Sequence, residues 1–264
     1  MELSLKTLEE QLYLGHLGGA CPYLPDRKSR LLFLNGQGVG RIYRLLLDAG
    51  YRRHGLHLYR PDCPGCRECQ VLRIPTASFR PSRSQKRVLK KGRDVFAVEW
   101  GRPEFTTEKV DMYARYLAAQ HRDPNANDPE NLDPDRYEEF FVNSFLGEDT
   151  IEMRLYAGPE RRLCGIGIAD RMHDALSSVY FYFDPEWGDY SPGTYSFLFE
   201  IETAREWGLK YYYPGFYIKD CAAMNYKANF GPAQIKQGED AWRAFDKDRD
   251  GPREIQERSH ERTE

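Results

Sequence analysis

Residues 150 to 216 constrain the fold more than any other stretch. "TIEMRLYA" (150–157), "RLCGIGIADRMH" (162–173) and "ALSSVYFYFDP" (175–185) are three successive runs rich in β-branched and aromatic residues. Runs of that composition and length predict three consecutive antiparallel strands. The pattern then changes: "TYSFLFEIETAREWG" (194–208) has helical spacing, and "LKYYYPGF" (209–216) returns to strand composition. Strands, then a helix, then a further strand define an α+β arrangement.

Upstream, "VGRIYRLLLDA" (39–49) puts Ile42, Leu45, Leu46 and Ala49 on one helical face, with Gly50 as the stop. "LHLYRP" and "QVLRIPTASF" read as short strands around the loop "DCPGCRE", because Pro and Gly interrupt regular structure. "EKVDMYARYLAAQHR" and "PDRYEEFFVNSFL" read as helices joined by the loop "DPNANDPENLDP". The order of elements from 94 to 245 resembles the core of the GNAT-like acyltransferases, where two central strands splay apart and an acyl donor lies in the gap.

Charge divides the chain further. The net charge of −3 hides 17 Lys+Arg against 4 Asp+Glu in residues 26 to 93, and 20 against 34 in residues 94 to 264. The expected organisation is a basic, Cys-containing region (1–93), a GNAT-like domain (94–245) and a charged tail (246–264) with too little to bury for order. No export signal and no apolar run long enough to span a bilayer is visible, which implies a cytoplasmic protein without membrane contact. In that compartment the six cysteines read as thiols or metal ligands rather than disulfides.

Cys63, Cys66 and Cys69 form overlapping C-x-x-C units, and Cys21 in "CPYLPDRKSR" is the best fourth member. Three readings fit this set: a tetrahedral zinc site, an iron–sulfur cluster, or reduced thiols packing in a small core. Cys164 and Cys221 read as small hydrophobes. From Ser82 a helix start opens "SRSQKRVLKKGR", stacking Arg83, Lys86, Arg87 and Lys90 on one face. No acidic residue lies between Gln70 and Arg93, so that face lacks local partners and calls for an external anion such as RNA phosphate. Nine of the 18 tyrosines lie between 180 and 226, a density suited to strands and also to stacking on unpaired bases.

Taken in order, "CPYLPDRKSR", "YRRHGLHLYRPDCPGCRECQVLRIP", "FRPSRSQKRV", "SPGTYSFLFEIETAREWGLKYYYPGFYI" and "MNYKANFGP" resemble the bacterial, aspartate/glutamate leucyltransferase branch of the arginyl-tRNA–protein transferases. The resemblance covers roughly residues 10 to 245. It implies transfer of leucine from an aminoacyl-tRNA co-substrate to proteins with an N-terminal Asp or Glu, in the N-degron pathway, without an organic cofactor. An arginyl donor is the first alternative; a non-catalytic RNA-binding metal protein is the second.

An aminoacyl ester is already activated, so the reaction needs placement and a proton acceptor. Asp170, near the end of a predicted strand, is the expected base, with Ser178 and Tyr180 polarising the ester carbonyl or moving the proton. Lys227 or Arg73 would meet the acidic first side chain of the protein substrate, with the tRNA as the alternative partner of Arg73 and its terminal phosphates that of Lys227. Tyr195, in the Ser191–Tyr195 turn, and Tyr226 would meet the acyl-bearing end of the RNA. Arg83, Lys86, Arg87 and Lys90 would hold tRNA phosphates.

Overall fold

The run "TIEMRLYA" becomes strand β7 (Thr150–Ala157), whose side chains are buried at most positions and half-buried at the rest. It pairs antiparallel with β8 (Arg162–Arg171), and β8 pairs antiparallel with β9 (Ala175–Phe183). β8 is buried at every position from Leu163 to Asp170, which is why its sequence is a continuous apolar run rather than an alternation. β6 (Phe96–Gly101) adds antiparallel to β7, and β10 (Tyr211–Tyr213) adds parallel to β9. The computed structural model describes residues 4–120, 133–238 and 240–252.

These strands belong to one of two compact units, made of residues His54–Leu56 and Pro81–Tyr213. The registers place Thr150, Glu152, Asp170, Ser177, Tyr180 and Tyr182 on one face of the sheet, and Met153, Gly167 and Ser178 on the other. On the first face α4 (Thr107–Gln120) and α5 (Pro134–Tyr137) close a core of Val110, Met112, Tyr137, Phe141, Ile166, Ile168 and Tyr182. Within it the hydroxyls of Tyr137 and Tyr182 are 2.6 Å apart. The helix expected over 134–146 is shorter: α5 runs four residues from the Asp133 cap and widens into a π-helical turn, Glu138–Val142, where Phe140 and Phe141 turn into this aromatic core. α6 (Pro192–Glu206) packs against β9 and β10, and α3 (Arg83–Val95) packs against α6. Gly92 makes that crossing close, since a Cβ there would lie 2.1 Å from the Tyr195 ring.

The other unit comprises Met1–Arg53, His57–Arg80 and Pro214–Glu264. The division therefore does not follow the charge boundary at residue 93: α3 belongs to the acidic unit, and the chain after Pro214 belongs with the basic one. Helix α1 (Leu5–Leu12) leads into a hairpin of β1 (Tyr13–Ala20) and β2 (Lys28–Asn35). β4 (His57–Pro61) and β3 (Arg52–His54) complete a sheet ordered β1-β2-β4-β3. Separately, β5 (Gln70–Pro75) pairs antiparallel with β11 (Phe216–Tyr217) and with β12 (Gln234–Lys236), which carries β13 (Arg243–Ala244).

The helix expected at 39–49 is a 3-10 turn, Gly40–Ile42, followed by α2 (Tyr43–Asp48). Its buried face is Tyr43, Arg44, Leu46 and Leu47, while Leu45 is exposed. After α7 (Ala222–Asn225), the chain from 246 is not featureless. α8 (Lys247–Asp250) is held by Arg243, whose guanidinium donates to both Asp250 oxygens at 2.6 and 2.8 Å, and by Tyr217 Oη donating to the Asp250 carbonyl at 2.6 Å. The rest of the expected disordered tail, 253–264, and most of the expected loop at 123–134 lie outside the described residues.

Candidate active site

β9 carries an irregularity that the sequence does not announce. Its register against β8 runs Ile168↔Tyr180 and then Ala169↔Ser178, so Val179 is an extra residue, a β-bulge. Bulges leave one residue outside the ladder and re-aim its neighbours. On the other side β9 is paired by β10 only through Ala175, Leu176 and Ser177. Ser178 and Val179 thus sit where pairing on one edge has ended and pairing on the other is interrupted.

The three residues expected to act together at this point are divided between the two faces. Asp170 is fully buried and accepts a hydrogen bond from Thr150 Oγ1 at 2.8 Å, itself 2.6 Å from Ser144 Oγ. Its role is an internal hydrogen-bond anchor joining β7 to β8, not a base open to substrate. Tyr180 lies on the same face, with its ring against Tyr113, Phe140 and Phe141. Burial drives its phenol far above the usual range, and nearby Tyr113 adds to this, so it stays a neutral phenol. Ser178, half-buried, faces the opposite way.

On that opposite face stands a residue sequence reasoning missed, Glu200 of α6. It is 1% exposed, and Tyr212 Oη donates to its Oε2 at 2.6 Å. Burial pushes its carboxyl up to about 7, against a pull downward from the hydroxyls of Tyr212 and Ser178. Oε1 meets no donor at ordinary hydrogen-bond geometry. Glycine at 167 leaves room for this oxygen, since a Cβ there would lie 3.3 Å from it. One sequence signal was available: a lone Glu amid the apolar residues of "SFLFEI".

Tyr195 is 1% exposed, with its ring against Gly92 and 5.4 Å from the Phe96 ring. It is a packing residue of the α3–α6 crossing and not a surface for RNA. α3 starts as its sequence indicates, with Ser82 and Gln85 forming a reciprocal capping box. Arg83, Lys86, Arg87 and Lys90 are all exposed. Lys90 does find a partner beyond the acid-free stretch, Asp94 at 3.2 Å, but both side chains are mostly solvated and such a pair contributes little.

In the unit containing β5, Arg73 is consumed internally. Its Nε donates to Gln234 Oε1 at 2.7 Å, its guanidinium lies 3.9 Å above the Trp242 ring, and Nη1 is 3.6 Å from Asp48. It is therefore not an exposed cation for a substrate carboxylate. Lys227 is 5% exposed, and its Nζ donates to the Phe216 carbonyl at 2.6 Å. Burial lowers its pKa to about 7, helped by the Arg52 guanidinium and opposed by Cys221. Beside it Gly215, at φ 91°, presents no side chain, and a Cβ would be 3.6 Å from Nζ. Tyr226 is the exposed neighbour, at 44%.

The cysteines do not form the expected ligand set. Among the described residues no group of three or more His, Cys, Asp or Glu side chains is placed to hold a metal ion. The Cys63 Sγ accepts from the Arg30 amide at 3.2 Å, and the Cys66 Sγ accepts from Arg27 Nη1 at 3.4 Å. Cys21 and Cys69 pack with Tyr23 and Met224 around Leu24, Ile218 and Cys221. Burial pushes the Cys69 thiol up to about 12, with the other three cysteines adding to the effect. The Cys63 Sγ is thus turned to the Arg30 main chain and the Cys66 Sγ to the Arg27 side chain, while Cys69 is a half-buried, neutral thiol in this arrangement. Of the three readings, the packing one describes Cys21 and Cys69.

Residues 19–87 match the family described as "Arginine-tRNA-protein transferase, N terminus", and residues 108–237 match its "C terminus" counterpart. The chain is 36% identical over 217 residues to the aspartate/glutamate leucyltransferase of Pseudomonas paraeruginosa (strain DSM 24068 / PA7), covering 81% of this chain and 89% of that one. The enzyme of the same name from Hahella chejuensis (strain KCTC 2396) is 35% identical over the same shares. The chain belongs to the arginine-tRNA–protein transferase family, as the motif blocks imply.

Looser likenesses exist among solved structures. L-PGS from Bacillus licheniformis matches at a TM-score of 0.42 and 11% identity over 67% of this chain and 50% of that one. FemX matches at 0.41 and 10% over 78% and 80%. Neither overlap is close enough to argue from. No helix among the described residues is long and apolar enough to cross a membrane.

Proposed function

We propose that the protein transfers leucine from leucyl-tRNA to the α-amino group of proteins beginning with Asp or Glu, in the cytoplasm, as a step that commits those proteins to degradation. The observation that carries this reading is the 36% identity to enzymes named for that reaction across 89% of their length. The fold reading that accompanies it is GNAT-like. It is supported by the parallel β9–β10 pair that ends after three residues and by the bulge that follows at Val179. In this reading the acyl ester lies along the unpaired edge of β9 beyond Ser177. A backbone amide freed at the bulge, and the Ser178 hydroxyl, would then face the carbonyl oxygen as charge develops on it.

Phosphates of the tRNA are assigned to Arg83, Lys86, Arg87 and Lys90, supported by their exposure on one face of α3. The acidic first side chain is assigned to Lys227 with Tyr226 at its rim. A buried ammonium poised near neutrality regains its proton when a carboxylate arrives, which couples recognition to charge. The bare edge of Gly215 beside Nζ supports an approach there.

Incubation with a pool of charged tRNAs and peptides beginning with Asp, Glu or Ala tests the reading. Leucine should appear on the acidic peptides and not on the Ala peptide. Arginine alone on those peptides overturns the donor assignment, and no transfer of any amino acid overturns the function.

A further inference from the structure

Glu200 is not among the groups assigned a role above, yet it is a fully buried carboxyl with one oxygen unpaired and its neighbour hydroxyl at the β9 bulge. Burying an acid without full hydrogen bonding opposes folding, so a packing role alone gives no account of it. Its surroundings contain few groups that act on its charge: from β10 the Tyr212 hydroxyl, and from β9 the Ser178 hydroxyl, with no charged side chain acting on it among the described residues. The charged neighbour on its own helix, Glu202, is committed elsewhere, to Arg93 at 2.7 Å. Tyr212 fixes Oε2, which leaves Oε1 as the oxygen turned toward Gly167 and available to Ser178.

We infer that Glu200 is the terminal proton acceptor of the transfer reaction and acts through Ser178, as a positioning and proton-holding residue that does not itself touch substrate. The inference rests on the proposed aminoacyl transfer. In the step, the neutral amine nitrogen bonds to the ester carbonyl carbon and releases a proton to Ser178 Oγ, whose own proton passes to Glu200 Oε1. When the carbon–oxygen bond to the ribose breaks, the proton returns by the same route to the departing ribose oxygen. The products are an amide and a free hydroxyl, and the enzyme is unchanged.

Burial sets the Glu200 pKa at about 7, so its ionised form is lost as pH falls through neutrality. The attacking amine, with a pKa of about 7.7–8.0, must also be neutral. Two required deprotonations make log kcat/KM rise with pH at a slope approaching two below pH 7, and one deprotonation gives a slope of one.

The experiment measures kcat/KM for leucyl transfer to an Asp-initiated peptide from pH 5.5 to 8.5, for the native protein and Glu200→Gln. The expected result is a loss of about a hundred-fold at pH 7.5, within the range for proton-transfer catalysis, and a fall in slope from two to one. A native enzyme that transfers leucine while Glu200→Gln matches its rate and slope overturns the inference and leaves the function standing. A native enzyme with no transfer overturns the function itself. If Glu200→Gln does not fold, Tyr212→Phe replaces it. Removing the donor that favours the charged carboxyl should move the acid limb to higher pH, and an unmoved limb overturns the inference.

Discussion

Replacing Lys227 by Met should make the protein more stable near neutral pH and less selective. The native Lys227 pKa falls from 10.5 to about 7 on folding. Since one pKa unit corresponds to about 1.4 kcal/mol, holding this amine inside costs about 4–5 kcal/mol below about pH 7. The sign follows from proton counting. Between about pH 7 and 10.5 the unfolded state binds the proton and the folded state does not, so stability rises with pH across that window. From pH 6.5 to 9.5 the change should be about 3 kcal/mol. Met fills a similar volume without charge, but it leaves the Phe216 carbonyl without the 2.6 Å donor, at a cost of about 1–3 kcal/mol. Lys227→Met should therefore exceed the native protein in stability by about 2 kcal/mol at pH 6.5 and lose that advantage by pH 9.5. Urea unfolding at several pH values measures both, and the difference between the two proteins cancels titrations they share. A gap between the midpoints that stays constant with pH would refute the buried, neutral amine. In the transfer assay the same variant should discriminate less between Asp- and Ala-initiated peptides.

Two further outcomes follow from the helices. The double reversal Lys86→Glu/Arg87→Glu should weaken tRNA binding irrespective of sequence and reduce the slope of log K against log salt by nearly one unit for each phosphate no longer neutralised, with little change in folding; an unmoved slope places the RNA elsewhere. Gly92→Ala should lower thermal stability by about 1–3 kcal/mol despite its better helix propensity, because the new Cβ meets the Tyr195 ring at 2.1 Å; an unchanged melting temperature would show that the α3–α6 crossing has slack.

What the sequence made legible was periodicity and local chemistry. The strands at 150–157, 162–171 and 175–183, the helix at 192–206 and the Ser82 start of α3 all carry their own signals in adjacent residues. What stayed hidden depends on partners distant along the chain. Leu45 looks like a core residue by spacing, but the short α2 turns Tyr43, Leu46 and Leu47 inward. Arg73 resembles a free cation until Gln234, more than 150 positions away, and Trp242 close over it. Asp170 and Ser178 are eight positions apart on adjacent strands, and one extra residue at Val179 sets where each faces. No local pattern encodes a bulge of that kind. The cysteines show the converse limit: C-x-x-C spacing permits convergence, while the direction of each Sγ depends on the Arg27 side chain and the Arg30 main chain, which lie more than 30 positions upstream.

Glu200 and Lys227 are opposite in charge and in the direction of their shifts, and both arrive near 7. The carboxyl contributes full stability below its unfolded pKa and loses it as pH rises through about 7, a cost of about 3 kcal/mol at neutrality. The amine imposes about 4 kcal/mol at the same pH and relinquishes it only as pH climbs toward 10.5. The two costs together approach the whole net stability of an ordinary domain, about 5–15 kcal/mol. They are also largest together at about pH 7, so neither group is kept for its contribution to folding at working pH. A group whose pKa matches the surrounding pH changes its protonation state at almost no free-energy cost, which suits a proton acceptor and a carboxylate receptor alike. Two such groups, each costing stability at neutral pH, are what selection for chemistry rather than for folding would leave behind.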